Sequence, residues 1–160
     1  MDSIAVHLRH LDDAWAHKWE SLSGVLAGVS EEEAAWQAPC YAKEEREDGW
    51  PAPGSIRWQV AHIAFCKRHY ADCIRRLGEP EPPSERFKPV TGTFAQDRAE
   101  LDAAHADERA AIVARSDADL PRLLFNRMAL GEFLAMLVRH DVWHAGQIAV
   151  ARRLWRTSVH

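Results

Sequence analysis

Apolar side chains in the first part of the chain recur at steps of three, four and seven residues, which is the spacing of one helical face. This pattern predicts a first helix from about residue 3 to residue 29. Ser30 and Glu33 then have the spacing of a capping box, which predicts a short helical turn through Trp36. Residues 39–54 contain three prolines, two glycines and a run of charged side chains, so they predict a loop.

A second long helix follows this loop. Ser55 is a suitable N-cap, and the apolar stripe over residues 56–77 predicts a helix that ends at Gly78. The four prolines between residues 80 and 89 cannot continue a helix and predict an extended connection across the molecule. A connection of this length would allow the second and third helices to run parallel.

Two more helices complete the predicted fold. Thr93 and Gln96 resemble a capping box at the start of an alanine-rich stretch, which predicts a third helix over residues 94–115. Apolar residues repeat at steps of three and four over residues 130–155 and predict a fourth helix, while no alternating pattern is long enough for a strand. The predicted fold class is therefore all-α, a four-helix bundle with a long crossover after helix 2.

Composition narrows the function classes. The 160 residues and 47% hydrophobic content suit a single domain over residues 1–160. The 24 acidic and 20 basic side chains are interspersed and give a formal charge of -4, so we expect no nucleic-acid partner. We also expect no membrane association, since the start of the chain lacks a signal-peptide pattern and no apolar stretch approaches the about 20 residues of a membrane span. The few cysteines predict a reducing, cytoplasmic location.

Histidines carry the candidate chemistry. His140 and His144 are four residues apart on the fourth helix, which places both imidazoles on one face, and His144 falls within the apolar stripe. With His62 from the middle of the second helix, they predict a three-histidine site for a divalent metal ion. The alternative is that they are core histidines bonded to the backbone or to a buried carboxylate. A metalloprotease is disfavoured, because Asp141 stands where that motif has glutamate.

Two segments resemble a known family. The fourth helix reads His140-Asp-Val-Trp-His144-Ala-Gly-Gln-Ile, and the second contains Trp58-Gln-Val-Ala-His62-Ile-Ala. They resemble the DinB/YfiT-like metalloprotein superfamily, whose signature is a C-terminal His-x-x-x-His-x-Gly-Gln-Ile with a third histidine in the second helix. The resemblance implies a four-helix bundle, frequent homodimers, and one divalent ion, zinc or nickel and otherwise iron, on His62, His140 and His144. It also implies activities such as thiol-dependent transfer and isomerisation.

Three neutral imidazoles on a tetrahedral ion leave one coordination position open. This predicts a metal-dependent enzyme for a small-molecule substrate, a hydrolase or an S-transferase that uses a low-molecular-weight thiol. The alternative is a non-catalytic metal-binding or ligand-binding bundle. A structural metal is disfavoured unless Cys66 or His69 is a fourth ligand, because closed sites have four protein ligands. No general base is evident, and Asp141, next to His140, is expected to face another helix.

Other residues receive weaker predictions. His7 is a minor pocket candidate, and one or two tryptophans are expected to form an apolar wall beside the metal. Gly146 predicts either close packing by a neighbouring helix or a chemical role, and Gln147 either orients a ligand or is an ordinary amide. The histidines expected at the surface are His10, His17, His105 and His160. The tryptophans expected on inner faces are Trp15, Trp58, Trp143 and Trp155.

Overall fold

Helices dominate a computed structural model of the chain, which describes residues 3–41, 44, 49–83, 92–125 and 127–158. The α-helices in these ranges are α1 Ile4–Ala16, α2 Leu22–Leu26, α3 Glu31–Ala35, α4 Ile56–Arg75, α5 Phe94–Val113 and α6 Leu130–Ser158. Two short strands, β1 Leu123–Leu124 and β2 Met128–Ala129, pair antiparallel just before α6. The all-α prediction is confirmed, although the expectation that the chain has no strand was wrong at this hairpin.

The long helices form a bundle in which α4 and α5 run parallel. Near their first turns the Arg57 guanidinium contacts the Asp97 carboxylate at 2.7 Å. Near their last turns the Arg115 side chain donates a 2.8 Å hydrogen bond to the Arg75 carbonyl oxygen. The start of α4 therefore lies beside the start of α5, and the ends of the two helices also lie together. This is the parallel arrangement that the long connection between them predicts.

The other two long helices run in the opposite direction. Gln59 near the start of α4 contacts His144 in the second half of α6, whereas Tyr70 near the end of α4 packs on Phe133 near the start of α6. Along α1, the Ile4 amide donates to Asp117, which lies just beyond the end of α5. These contacts place α1 and α6 antiparallel to the α4–α5 pair and complete the predicted four-helix bundle.

The predicted first helix is interrupted. α1 ends at Ala16, and α2 begins only at Leu22, because the Ser21 hydroxyl accepts a hydrogen bond from the Gly24 amide and caps a new helix. A serine that bonds its own backbone in this way competes with a continuous helix. The single helix predicted over residues 3–29 is therefore wrong, and its stripe of apolar residues is shared by two helices.

Capping residues fix the starts of the next helices as predicted. The Ser55 hydroxyl accepts from the Trp58 amide, and Thr93 and Gln96 form a reciprocal capping box. α4 ends at Arg75, three residues before Gly78, whose φ of 91° is the left-handed conformation that glycine adopts easily. Most of the proline-rich segment that follows lies outside the described residues.

The core consists of two apolar clusters stacked along the bundle axis. One includes Leu11 of α1, Ile74 of α4 and Leu134 of α6, and the other includes Ile63 of α4 and Ile148 of α6. Residues 66–69 of α4 and 138–145 of α6 lie between these clusters, and polar side chains meet there. No described helix is long and apolar enough to cross a membrane.

Candidate metal centre

Two helices bring three histidine rings together between the two apolar clusters. His62 projects from α4, and His140 and His144 project from successive turns of α6. The ring centroids are 5.6 Å apart for His62 and His140, 5.0 Å for His62 and His144, and 4.5 Å for His140 and His144. The antiparallel packing of α4 against α6 therefore joins residues that are far apart in the sequence.

A cavity of about 370 Å³ opens onto all three rings. Trp58 stacks on His62 with a centroid distance of 5.1 Å, and Trp143 lies nearly parallel to His144 at 6.3 Å. Both indoles line the cavity, as expected for an apolar wall beside the site. Trp143 is nevertheless 68% exposed, so its predicted place on an inner face was wrong, because it lies on the outer side of α6.

The Cys66 thiol lies on the core side of the rings. Its Sγ atom is 3.5 Å from His62 Nε2, and ligand atoms of His62, Cys66 and His140 all lie within 4.8 Å of one another. Cys66 does not line the cavity, and burial raises the pKa of its thiol to about 11. His69 contacts Cys73 Sγ at 3.5 Å instead and is not part of this group. Cys66 is thus the residue that could close the coordination sphere from within.

The fold keeps His140 and His144 neutral. Burial, and then repulsion from the other two rings, lowers the pKa of His140 to about 3. Burial followed by the charge of His62 lowers the pKa of His144 to about 4. A metal ion binds imidazole only in its neutral form, so no proton has to leave these two rings at neutral pH. The donor set therefore fits a divalent ion of the zinc or nickel type.

An amide from α4 orients one of the rings. Gln59 Oε1 lies 2.5 Å from His144 Nδ1, and an amide oxygen can only accept in this contact. His144 Nδ1 therefore carries the proton and donates it to Gln59, which leaves Nε2 as the free ligand atom. Such outer hydrogen bonds fix the tautomer and the direction of ligand histidines.

A buried layer of charges lies directly behind the rings. Lys67 Nζ of α4 is 2.7 Å from Glu108 Oε2 of α5 and 2.7 Å from Asp141 Oδ2 of α6. Burial opposes the ammonium charge of Lys67, but the two carboxylates outweigh it and raise its pKa. Burial raises the pKa of Glu108 to about 7 and also raises the pKa of Asp141, in both cases against the attraction of Lys67. This layer ties together the three helices that surround the site.

His105 is buried rather than at the surface, so its predicted position was wrong. Its ring stacks on Trp15 at a centroid distance of 3.8 Å, because the turn of α5 that carries it faces α1. Ligand atoms of His105, Glu108 and Asp141 also lie within 4.8 Å of one another. The Lys67 ammonium already bridges the carboxylates of Glu108 and Asp141. The place of a metal ion in this second group is therefore taken by the charge of Lys67.

The weaker predictions have mixed outcomes. His10 and His17 are exposed as predicted, and His160 lies outside the described residues. His7 is buried on α1 but does not line the cavity. Gly146 is exposed, and a Cβ atom built on it would meet nothing within 4 Å, so the predicted close packing at this position was wrong. Gln147 does line the cavity, and its side chain lies against the His144 ring, where its hydrogen bond partly opposes the lowering of the pKa of that ring by burial.

Sequence patterns contain a signal for the residues that the prediction missed. Gln59 precedes His62 by three residues, which puts both on one face of α4. Lys67 and Glu108 occupy positions where the apolar stripes of α4 and α5 require buried side chains, and buried charges are rare unless paired. Asp141 was expected to face another helix, and its carboxylate does contact Lys67 of α4.

Comparison with known proteins identifies the family of the chain. The family model described as the DinB superfamily matches residues 14–148, a range that contains all three histidines. No curated protein and no solved structure matches the chain.

Proposed function

Because the chain belongs to the DinB superfamily, we propose that His62, His140 and His144 hold one divalent metal ion that faces the adjoining cavity. The observation that carries this proposal is the convergence of three imidazoles on one wall of a cavity of about 370 Å³, where burial lowers the pKa of both His140 and His144. Three protein ligands leave a coordination position for a substrate. Zinc and nickel suit an imidazole set best, and iron is a further candidate.

The proposed activity is a metal-dependent transfer or hydrolysis on a small-molecule substrate, with a low-molecular-weight thiol as the co-substrate of the transfer. When bound, the ion supplies Lewis acidity to a water or a thiol. Gln59 holds the His144 ring through Nδ1, which leaves Nε2 for the ion, and Trp58 and Trp143 give the cavity apolar walls. Gln147 lines the cavity beside His144 and presents a polar amide to the substrate.

One observation favours a second candidate, a closed metal site without catalysis. Cys66 Sγ lies 3.5 Å from His62 Nε2, and a thiolate ligand there would give four protein ligands, the number typical of structural zinc. The open site is preferred because the three histidines line the cavity whereas Cys66 lies behind them. A homodimer in the cytoplasm completes the proposal, and Cys40, Cys66 and Cys73 as free cysteines suit a reducing compartment.

The test is the metal content of protein purified without added metal and without an affinity tag, measured by elemental mass spectrometry. We expect close to one equivalent in the unaltered chain and a loss of most of it in His62→Ala. The matched control is His10→Ala, because His10 is exposed on α1 and does not line the cavity. Metal-free protein that binds no zinc or nickel on titration, or equal metal in both variants, contradicts the proposal.

A further inference from the structure

The metal cavity continues into a second, larger cavity along the outside of α6. This groove has a volume of about 620 Å³. The two cavities share five lining residues, Tyr41, Gly54, Gln59, Trp143 and Gln147. The two cavities therefore lie side by side along these residues.

Exposed apolar side chains of α6 concentrate in this groove. Val142 is 54% exposed, Trp143 68%, Val150 59% and Leu154 45%. All four line the groove, and a soluble domain rarely leaves such side chains together at its surface without a binding role. Burying this surface against an apolar group would be favourable in proportion to the area removed from water.

The described lining of the groove carries no charged side chain. None of the described residues that line it is Asp, Glu, Lys, Arg or His. The Gln147 amide lies at the junction with the metal cavity, next to the His144 ring. A charged tail would lose its hydration in the groove without gaining a counter-charge from these residues.

We propose that the groove binds the uncharged apolar body of a small-molecule ligand whose metal-binding head occupies the histidine cavity. Binding of the ligand head rests on the proposed metal centre. Binding of the apolar tail depends only on the groove. The volume of the groove falls within the range of about 300–1,000 Å³ that is usual for sites of small organic ligands.

Straight-chain hydroxamic acids test the inference, since they combine a head that binds zinc as the hydroxamate, with release of its O–H proton, with an uncharged tail of variable length. Calorimetric titration of the zinc-loaded protein would compare aceto-, butano-, hexano- and octanohydroxamic acid. We expect binding to strengthen by about fourfold for each methylene that enters the groove. Affinities that do not depend on tail length would overturn the inference.

Val150→Gln is the diagnostic variant, because Val150 lines the groove but not the metal cavity. It should weaken octanohydroxamic acid by about tenfold and leave acetohydroxamic acid unchanged. The matched control is Val113→Gln on α5, where the valine is 54% exposed against 59% for Val150 and lines neither cavity. Equal effects of the two variants on the long ligand would also overturn the inference.

Primary alcohols separate failure of the groove from failure of the metal centre. They have the same tails without the metal-binding head, and they can be titrated into His62→Ala protein. Chain-length-dependent binding of alcohols, lost in the His62→Ala/Val150→Gln double variant, supports the groove even if no hydroxamate or zinc binds to the unaltered protein. Light scattering on the same samples addresses a second copy of the chain as the occupant. A dimer that Val150→Gln dissociates and Val113→Gln does not would overturn the small-molecule inference.

Discussion

Lys67 Nζ on α4 lies 2.7 Å from Asp141 Oδ2 on α6, and both side chains are only 1% exposed. Asp141 directly follows His140, and Lys67 follows His62 by five residues. The buried ion pair therefore fixes the position of α6 along the axis of α4 at the level where the histidine rings meet. Glu108 extends the same contact to α5.

Loss of the central ammonium should destabilise the fold strongly. Lys67→Met leaves Glu108 and Asp141 buried without their cation, which should lower the free energy of unfolding by about 3–5 kcal/mol at about pH 8. The loss should be smaller at about pH 5, because burial raises the pKa of both carboxyl groups and they become neutral on acidification. Urea denaturation followed by circular dichroism at both pH values measures the difference.

An exposed ion pair provides the control for this prediction. Arg109 contacts Asp12 at 2.7 Å, but the two side chains are 44% and 45% exposed. Arg109→Met should cost less than about 1 kcal/mol, because surface ion pairs contribute little. An equally small cost for Lys67→Met, or the same large cost at both pH values, would argue against a buried charge layer.

Removal of the Gln59 amide should weaken metal binding without unfolding the protein. Gln59→Ala frees His144 Nδ1 from its acceptor, so the ring no longer has a fixed tautomer and direction. We expect zinc affinity to fall by about 10–100-fold, as for other outer partners of ligand histidines. Gln59→Glu retains an acceptor oxygen and should restore most of the affinity. Competition with a chromophoric chelator gives the affinities, and a Gln59→Ala protein that binds zinc like the unaltered chain would contradict the assigned role.

Replacement of Cys66 distinguishes the open site from the closed one. An open three-histidine site predicts that Cys66→Ala retains close to one equivalent of metal, because the cavity side of the ion is held by imidazoles. Cobalt-substituted protein should show the same ligand-field spectrum with and without the thiol. The disappearance of a near-ultraviolet sulfur-to-cobalt absorption in the variant would instead identify Cys66 as a ligand.

His105 should make the fold sensitive to acid. Burial, and then repulsion from Lys67, lowers its pKa from 6.5 to about 3, and Asp12 and Arg109 are the other charges that act on it. Below pH 6.5 the His105 ring therefore binds a proton in the unfolded chain but stays neutral in the folded chain. The free energy of unfolding falls as the pH decreases towards 3. His105→Phe preserves an aromatic stack on Trp15 but cannot titrate.

The pH slope of stability measures this effect. Between about pH 6 and pH 4, the free energy of unfolding should fall less steeply in His105→Phe than in the unaltered chain, by up to about 1.4 kcal/mol per pH unit. His10→Phe should leave the slope unchanged, because His10 is exposed. Identical slopes in all three proteins would mean that His105 titrates normally in the fold.

Interactions between residues that are close in the sequence made a large part of the fold and of the candidate site predictable. The caps at Ser55 and Thr93 need only side chains a few residues away, so they follow from the sequence alone. The shared face of His140 and His144 follows from four-residue spacing on a helix in the same way. The starts of the long helices α4 and α5, the long crossover and the candidate ligands are therefore properties of short segments and their order.

Long-range packing decided the rest. Glu108 follows Lys67 by 41 residues in the chain, and Asp141 follows it by 74. Only the parallel packing of α4 with α5 and the antiparallel packing of α4 with α6 bring the three side chains together. The burial of His105 depends in the same way on α1, and the exposure of Gly146 and Trp143 depends on which face of α6 has no neighbour. Periodicity shows which residues share a face, but the free energy of packing whole helices decides which faces meet and which remain open to a ligand.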